Sequence, residues 1–147
     1  MIAIGSDHAG FELKQEIIKY LQCKGVEYKD FGTYTPESTD YPDYGEAVGV
    51  AVATGQCEKG ILVCGTGVGI SMAANKVRGV RCAACSEPYS AEMSRMHNDA
   101  NVIALGQRVV GVGLALKMVD AFLNTEFEGG RHACRVAKIM EIENRQR

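Results

Sequence analysis

A short apolar segment runs directly into alternating glycines at residues 61–71 (ILVCGTGVGIS), and no other stretch constrains the fold as strongly. Residues 61–63 lack polar alternation, which is typical of a parallel strand covered on both faces. Gly65, Gly67 and Gly69 can adopt backbone angles that other residues avoid, so the N–H groups of this loop can converge on an anion. The stretch therefore predicts a strand, an anion-binding loop and a helix, in that order.

Cys64 ends this strand, immediately before the glycine loop. Backbone dipoles at a helix start favour a thiolate over a thiol, which makes Cys64 a candidate base. The ordinary alternative is a buried structural cysteine, because free cysteine is among the most buried residue types.

Three common loop chemistries do not match the spacing. A dinucleotide-binding loop needs a third glycine where Ile70 stands, and a Walker loop needs a terminal Gly-Lys-Ser/Thr that does not follow. A cysteine phosphatase would need an arginine closing the loop, yet the residues after Cys64 are uncharged as far as Asn75. Covalent phosphatase chemistry is therefore disfavoured.

Composition narrows the class of protein. The 147 residues suit one domain, and a net charge of −2 gives no global attraction to nucleic acid or to anionic membranes. The start of the chain lacks a basic leader, and no segment approaches the ~20 apolar residues of a membrane span, so we expect a cytoplasmic protein. The six cysteines are expected to be reduced. Cys82 and Cys85 fall in a predicted strand, where neither a disulfide nor a zinc site fits easily.

Strand-like and helix-like patterns alternate along the chain. Strands are predicted at 1–5, 26–31, 61–63, 80–85 and 102–105, and helices at 11–21, 44–54, 70–76, 88–97, 114–123 and 133–143. This order predicts an α/β fold, a Rossmann-like three-layer α/β/α sandwich with a five-stranded parallel sheet. The segment 32–43 is expected to be a long binding loop from which Tyr41 projects.

Polar groups follow three of the predicted strands. Asp7 and His8 follow the first, Cys64 the third and Arg108 the fifth, and parallel strands bring these ends to one edge, where open α/β sheets bind ligands. Histidine, thiol and carboxylate can move protons, and arginine can bind phosphate. Proton transfer on a phosphorylated carbonyl compound fits best. Alternatively, Asp7 only caps a helix and His8 is a solvated neighbour.

The segment 124–147 has no further strand to join. Its predicted helix carries an apolar stripe at Val136, Ile139 and Met140, with Arg131 and Arg135 about one turn apart. Such a helix could dock on a second subunit, or it could be an ordinary solvated helix end.

Six motifs resemble those of the RpiB/LacAB sugar-phosphate isomerase family over nearly the whole chain. They are GSDHAG at 5–10, TDYP at 39–42, residues 61–71, CSEPYS at 85–90, HND at 97–99 and EGGRH at 128–132. The resemblance implies an aldose–ketose isomerase for ribose 5-phosphate and ribulose 5-phosphate that uses no metal or other cofactor. It also implies strand order 2-1-3-5-4 and a homodimer, or a dimer of dimers, whose active sites are shared between subunits.

The resemblance also implies catalytic roles. Cys64 would take the proton from C2 and return it to C1, through a cis-enediolate held by the amides of the loop 65–69. Some relatives use a glutamate in this loop instead, but Val68 occupies that position here. His97 would open the furanose ring, with Thr66 and Asp7 near the ring oxygen and hydroxyls.

The same resemblance assigns the remaining contacts. Asn98 would contact the developing enediolate, and the Tyr41 side chain would form one wall of the sugar pocket. The phosphate would lie among His8, Arg108, Arg131 and Arg135, while the loop contributes Gly65, Thr66, Gly67, Val68 and Gly69. His97, Asn98 and the tail arginines are expected to come from the partner subunit.

Two competing functions remain. The same reaction on a six-carbon phosphate, such as allose or galactose 6-phosphate, would change mostly loop contacts. A non-catalytic phosphosugar-binding module would keep the glycine loop and arginines without needing Cys64 and His97, so their joint presence favours an enzyme.

Overall fold

Residues 1–146 are described by a computed structural model, and they form one parallel sheet flanked by helices. The strands are β1 (Ile2–Ser6), β2 (Tyr28–Asp30), β3 (Lys59–Cys64), β4 (Cys82–Ala84) and β5 (Val102–Gly106). Their order in the sheet is β2-β1-β3-β5-β4, with every neighbouring pair parallel. The predicted fold class and strand order are confirmed.

Six α-helices connect and follow the strands within these residues. They are α1 (Phe11–Cys23), α2 (Tyr41–Ala53), α3 (Val68–Ala74), α4 (Pro88–Met96), α5 (Val112–Asn124) and α6 (Arg131–Arg145). None of them is both long enough and apolar enough to cross a membrane.

Strand side chains alternate between two separate cores. Ile61 and Val63 of β3 pack with α1, α4 and α5, whereas Leu62 and Cys64 pack with α2 and α3. All four residues are almost completely buried, which explains why the sequence of this strand shows no polar alternation. The sheet is therefore the middle of three layers, and its central strand delivers Cys64 to the carboxyl edge.

The prediction of a long loop at 32–43 is wrong. Helix α2 begins at Tyr41, so the connection is shorter and Tyr41 lies in the first helical turn rather than projecting from a loop. Pro42 lies in that first turn, where a missing N–H costs nothing because the amide would have no helical partner.

Helix α6 packs against the body of its own chain. The Glu143 carboxylate accepts the Gly79 N–H at 3.1 Å, and the Arg78 guanidinium donates to the Glu143 carbonyl at 3.2 Å. Val136 is buried, whereas Ile139 and Ile142 remain about half exposed and line a groove of about 890 Å³ beside β4. The predicted tail thus has an intrachain anchor and a partly uncovered apolar side.

Candidate active site

Cys64 is buried at the carboxyl end of β3. Its Sγ accepts the backbone N–H of Gly67 at 3.1 Å, and its carbonyl accepts the N–H of Gln107 at 2.9 Å. A donor aimed at the sulfur stabilises negative charge there.

The glycines of the loop permit close approach by three neighbours. Gly67 has a φ of 81°, in the left-handed region, and an added Cβ would lie 3.0 Å from the Leu105 backbone. A Cβ on Gly69 would lie 2.6 Å from the Tyr41 ring, and one on Gly65 would lie 3.2 Å from Nη1 of Arg108. Tyr41 and Arg108 therefore both lie against the glycine loop.

The remaining loop residues are arranged around the same turn. The hydroxyl of Thr66 accepts the N–H of Val68 at 3.2 Å, and the side chain of Val68 is about half exposed. Arg108 donates its own backbone N–H to the Gly65 carbonyl at 3.0 Å, which fixes the exit of β5 against the loop.

Asp7 and His8 lie at the end of the neighbouring strand β1. The Asp7 carboxylate accepts the Gly10 N–H at 3.0 Å and so caps the 3-10 turn His8–Gly10 that precedes α1. The backbone N–H of Asp7 donates to the Val63 carbonyl. His8 is not a freely solvated neighbour, because its Nδ1 lies 3.2 Å from both the N and the O of Thr39. The carboxyl edge thus brings together Asp7, His8, Tyr41, Cys64, Thr66 and Arg108.

His97 and Asn98 lie at the opposite edge of the sheet. Helix α4 starts after the carboxyl end of β4 and ends just before His97, ahead of the first residues of β5. Asn101 accepts the N–H of Gly60, at the beginning of β3. Because β3 has six residues at about 3.3 Å each, roughly 17–20 Å separates the two ends of the strand. One chain therefore does not bring His97 to its own Cys64.

The tail arginines share the amino-terminal edge with His97. The Glu128 N–H donates to the Met96 carbonyl at 3.0 Å, which ties the start of the tail to the end of α4. Arg131 and Arg135 lie on the first turns of α6, on either side of His132 in sequence, and both are exposed. Two half-sites result, one at each edge of the sheet.

His132 and Glu128 form a cluster with His97 that the sequence did not predict. The His97 and His132 rings stack with centroids 4.1 Å apart and planes 9° from parallel. Oε2 of Glu128 lies 3.8 Å from Nε2 of His97 and 3.9 Å from Nε2 of His132. Burial lowers the pKa of His132, and the neighbouring His97 lowers it further. Glu128 lies before α6 begins at Arg131, and the turn in which the His132 N–H donates to the Gly129 carbonyl at 3.1 Å brings the two side chains together.

Within residues 1–146, this cluster also groups three side chains of types that can bind a metal ion. Its three potential ligand atoms lie within 4.8 Å of one another. A metal ion lies in the plane of each imidazole that binds it, along the nitrogen lone pair. Since the two rings are stacked and nearly parallel, their lone pairs do not converge on one point, and binding one ion would require a ring to rotate.

Comparison with known proteins decides the family. A family model described as "Ribose/Galactose Isomerase" matches residues 2–139. The chain belongs to the ribose/galactose isomerase family. It is 57% identical over 145 residues to the ribose-5-phosphate isomerase B of Escherichia coli, covering 99% of this chain and 97% of that protein.

Solved structures agree with this ribose/galactose isomerase assignment. A ribose-5-phosphate isomerase B from Clostridium thermocellum superposes with a TM-score of 0.96 at 59% identity, covering 97% of each chain. One from Mycoplasma genitalium, solved with bound ribulose-5-phosphate, gives a TM-score of 0.95 at 41% identity and covers 99% of this chain and 97% of that one. The family resemblance drawn from the sequence is confirmed.

Proposed function

We propose that the protein is an aldose–ketose isomerase that interconverts ribose 5-phosphate and ribulose 5-phosphate, with Cys64 as the base. The observation that carries the proposal is the 3.1 Å contact between the Gly67 N–H and the Cys64 sulfur. It joins a thiol to the loop of amides at the carboxyl edge of the sheet, in a chain 57% identical to a ribose-5-phosphate isomerase B.

The proposed reaction starts with ring opening. His97 gives a proton to the ring oxygen of the furanose as the bond from that oxygen to C1 breaks. The hydroxyl on C1 gives its proton to solvent water, which restores the proton on His97, and the open-chain aldehyde results. Asp7 and Thr66 lie at the edge where they can bind the ring oxygen and hydroxyls. Asn98 then contacts the oxygens of the developing enediolate.

Proton transfer through the enediolate follows. The Cys64 thiolate takes the proton from C2, and the electron pair of that bond forms the C1–C2 double bond while negative charge develops on O1. Backbone N–H groups of the loop 65–69 stabilise this oxyanion. The same thiol returns its proton to C1, and a proton moves from O2 to O1, giving the ketose and regenerating the thiolate.

Phosphate recognition in this proposal uses four cationic or polar side chains. His8 and Arg108 belong to the carboxyl edge, whereas Arg131 and Arg135 belong to the opposite edge. Arginine donates two parallel hydrogen bonds to phosphate, so the tail arginines would anchor the end of the sugar remote from Cys64. Tyr41, which lies against Gly69, would form one wall of the sugar pocket between the two groups of phosphate ligands.

We further propose that the active site is shared between two copies of the chain. A complete site needs His97 beside Cys64, yet these residues lie at opposite edges of one sheet. A homodimer in which the His97 edge of one protomer meets the Cys64 edge of the other would complete two sites at once. The half-exposed Ile139 and Ile142 of α6 give this edge apolar surface that a second subunit could cover. A dimer of two such dimers is compatible with the same pairing.

No metal or organic cofactor takes part in the proposed chemistry, because a thiol, a histidine and backbone amides supply every proton and charge that moves. Dialysis against EDTA should therefore leave turnover unchanged. Loss of turnover that Mg²⁺, Mn²⁺ or Zn²⁺ restores would contradict this part of the proposal.

We place this activity in the cytoplasm. All six cysteines are unpaired, which suits a reducing compartment. Cell fractionation, followed by an assay for the protein in each fraction, would test this location.

Proton NMR in D₂O tests the proposed reaction directly. Ribose 5-phosphate should convert to ribulose 5-phosphate with deuterium entering at the carbon that receives the proton. Allose 6-phosphate and galactose 6-phosphate serve as parallel substrates, because the family description includes galactose isomerases. Faster turnover of a six-carbon phosphate would reassign the substrate, and no turnover of any phosphosugar would leave only a binding function.

A further inference from the structure

Asp99 follows the two proposed site residues His97 and Asn98, and its backbone is unusual. It is the one residue other than glycine with a positive φ in the range 1–146, at 47°. Aspartate tolerates this left-handed conformation better than most residues, but the conformation still costs energy relative to an ordinary turn. The chain passes from the His97–Asn98 segment to β5 through this residue, so the angle at Asp99 sets the direction in which the chain turns after that segment.

Two arginines bind the Asp99 carboxylate. Nη1 of Arg95 lies 2.9 Å from Oδ1, and Nη2 of Arg81 lies 3.4 Å from Oδ2. Nε and Nη2 of Arg81 also donate to the Asp99 carbonyl, at 3.0 and 2.8 Å. The side chain and the backbone of Asp99 are thus both bound, and the left-handed turn has one defined orientation.

Each arginine is anchored to a different part of the molecule. Arg95 is almost fully buried, donates to the Ala100 carbonyl at 2.7 Å and to the Thr125 carbonyl at 3.3 Å, and lies over the Phe122 ring. Its position is therefore set by the core and by the segment after α5.

Arg81 connects to the other side of the turn. Its backbone pairs with Asn101, and its Nη1 lies 3.4 Å from the sulfur of Met140 on α6. Asp99 therefore couples the His97–Asn98 segment to both the core and the tail helix.

We propose that Asp99 is a positioning residue for His97, and that it acts through the paired arginines Arg81 and Arg95. The inference rests on the proposed role of His97 in ring opening. Asp99 itself does not touch the substrate. It holds the turn so that His97 meets the ring oxygen of a substrate bound at the Cys64 edge of the partner.

Asp99→Asn is the decisive substitution. Asparagine also tolerates a left-handed backbone and has the same shape, so the change removes the charge and little else. Displacing a catalytic group by about 1 Å can cost up to ~100-fold in rate, so we expect kcat/KM for ribose 5-phosphate to fall by about tenfold or more. Glu141→Gln on the exposed face of α6 makes the same charge change and should leave kcat/KM unchanged.

A double-mutant cycle with His97→Asn separates positioning from general damage. His97→Asn should retain measurable turnover, because a small fraction of the sugar opens spontaneously in solution. If Asp99 acts through His97, adding Asp99→Asn to His97→Asn should change kcat/KM by less than about twofold. A loss of equal size in both backgrounds would overturn the proposal, as would an Asp99→Asn protein with full activity.

Two other results, a fully active His97→Asn protein and an unfolded Asp99→Asn protein, have separate consequences. If His97→Asn alone is fully active, the proposed ring-opening role of His97 fails first, and Asp99 has no catalytic group to position. Should Asp99→Asn not fold, as judged by circular dichroism and gel filtration, Arg81→Lys replaces it in the cycle. That change keeps the charge but loses the paired contact to the Asp99 carbonyl, and the same non-additivity with His97→Asn is expected.

Discussion

The imidazole rings of His97 and His132 stack 4.1 Å apart, and burial lowers the pKa of His132. A lowered pKa means that the folded protein favours the neutral ring, so the unfolded chain binds more protons once the pH falls below the usual histidine value of 6.5. The free energy of unfolding should therefore decrease as the pH is lowered through this region.

Urea titrations at pH about 7.5 and about 5.5 test this expectation, and His132→Asn is the variant to compare. The decrease should be smaller in the variant than in the parent. An equal decrease in both proteins would show that other groups cause the pH dependence.

Cys64→Ala should abolish isomerisation and leave phosphate affinity nearly intact, because the loop amides and the arginines remain. Cys64→Ser should be almost as inactive, since a hydroxyl is a far weaker base than a thiolate. Isomerase assays and the inhibition constant of inorganic phosphate measure the two effects separately. Activity in both variants comparable with the parent would identify a different base.

Arg131→Ala combined with Arg135→Ala should lower kcat/KM by at least about tenfold, because each lost charged hydrogen bond costs about 1.5–3 kcal/mol. Lys138→Ala, an exposed cation on the same helix, is the matched control and should have no effect. Steady-state kinetics with ribose 5-phosphate measure kcat and KM for both variants. Unaltered kinetics in the double variant would leave the tail with a structural role alone.

Mixing an inactive Cys64→Ala protein with a weakly active His97→Asn protein tests the shared site. A Cys64→Ala chain paired with a His97→Asn chain puts both defects in one site and leaves wild-type Cys64 and His97 in the other. After co-refolding, activity should approach about one quarter of wild type if subunits mix statistically, because half of the dimers then carry one intact site of two. A mixture that exchanges subunits, as seen by mass spectrometry, yet gains no activity over the two separate proteins would show that both residues act within one chain.

Lys14 and Asp30 offer a test of stability at the carboxyl edge. The Lys14 ammonium has no exposed surface and lies 2.7 Å from both Asp30 oxygens, one of which also accepts the Gly32 N–H. Asp30→Asn would leave a buried cation without its counter-charge and should lower the free energy of unfolding by about 3 kcal/mol or more.

The exposed pair of Lys19 and Glu16 provides the comparison for that measurement. Glu16→Gln should cost less than about 1 kcal/mol in the same denaturant titration, because solvent screens exposed pairs. Similar losses in the two variants would mean that burial of Lys14 adds nothing to the strength of its pairing.

Much of the carboxyl-edge site could be predicted because its signals are local. The apolar run of β3, the glycines after it and the polar residues after β1 and β5 each follow from a few neighbouring residues, and parallel strands bring such ends together. The same local reasoning misjudged Tyr41. Pro42 is equally compatible with a loop and with the first turn of a helix, and only packing against Gly69 distinguishes them.

The order of strands and helices and the family follow from the sequence alone, because periodicity and ordered motifs are properties of short segments of chain. Tertiary structure decided which side chains meet. It separated His97 from Cys64 by the length of a strand, stacked His132 on His97, and bound Asp99 between Arg81 and Arg95. Arg81 and Asp99 are separated by 18 residues in sequence, and no periodic pattern encodes a contact that depends on how α4, α6 and the sheet pack together.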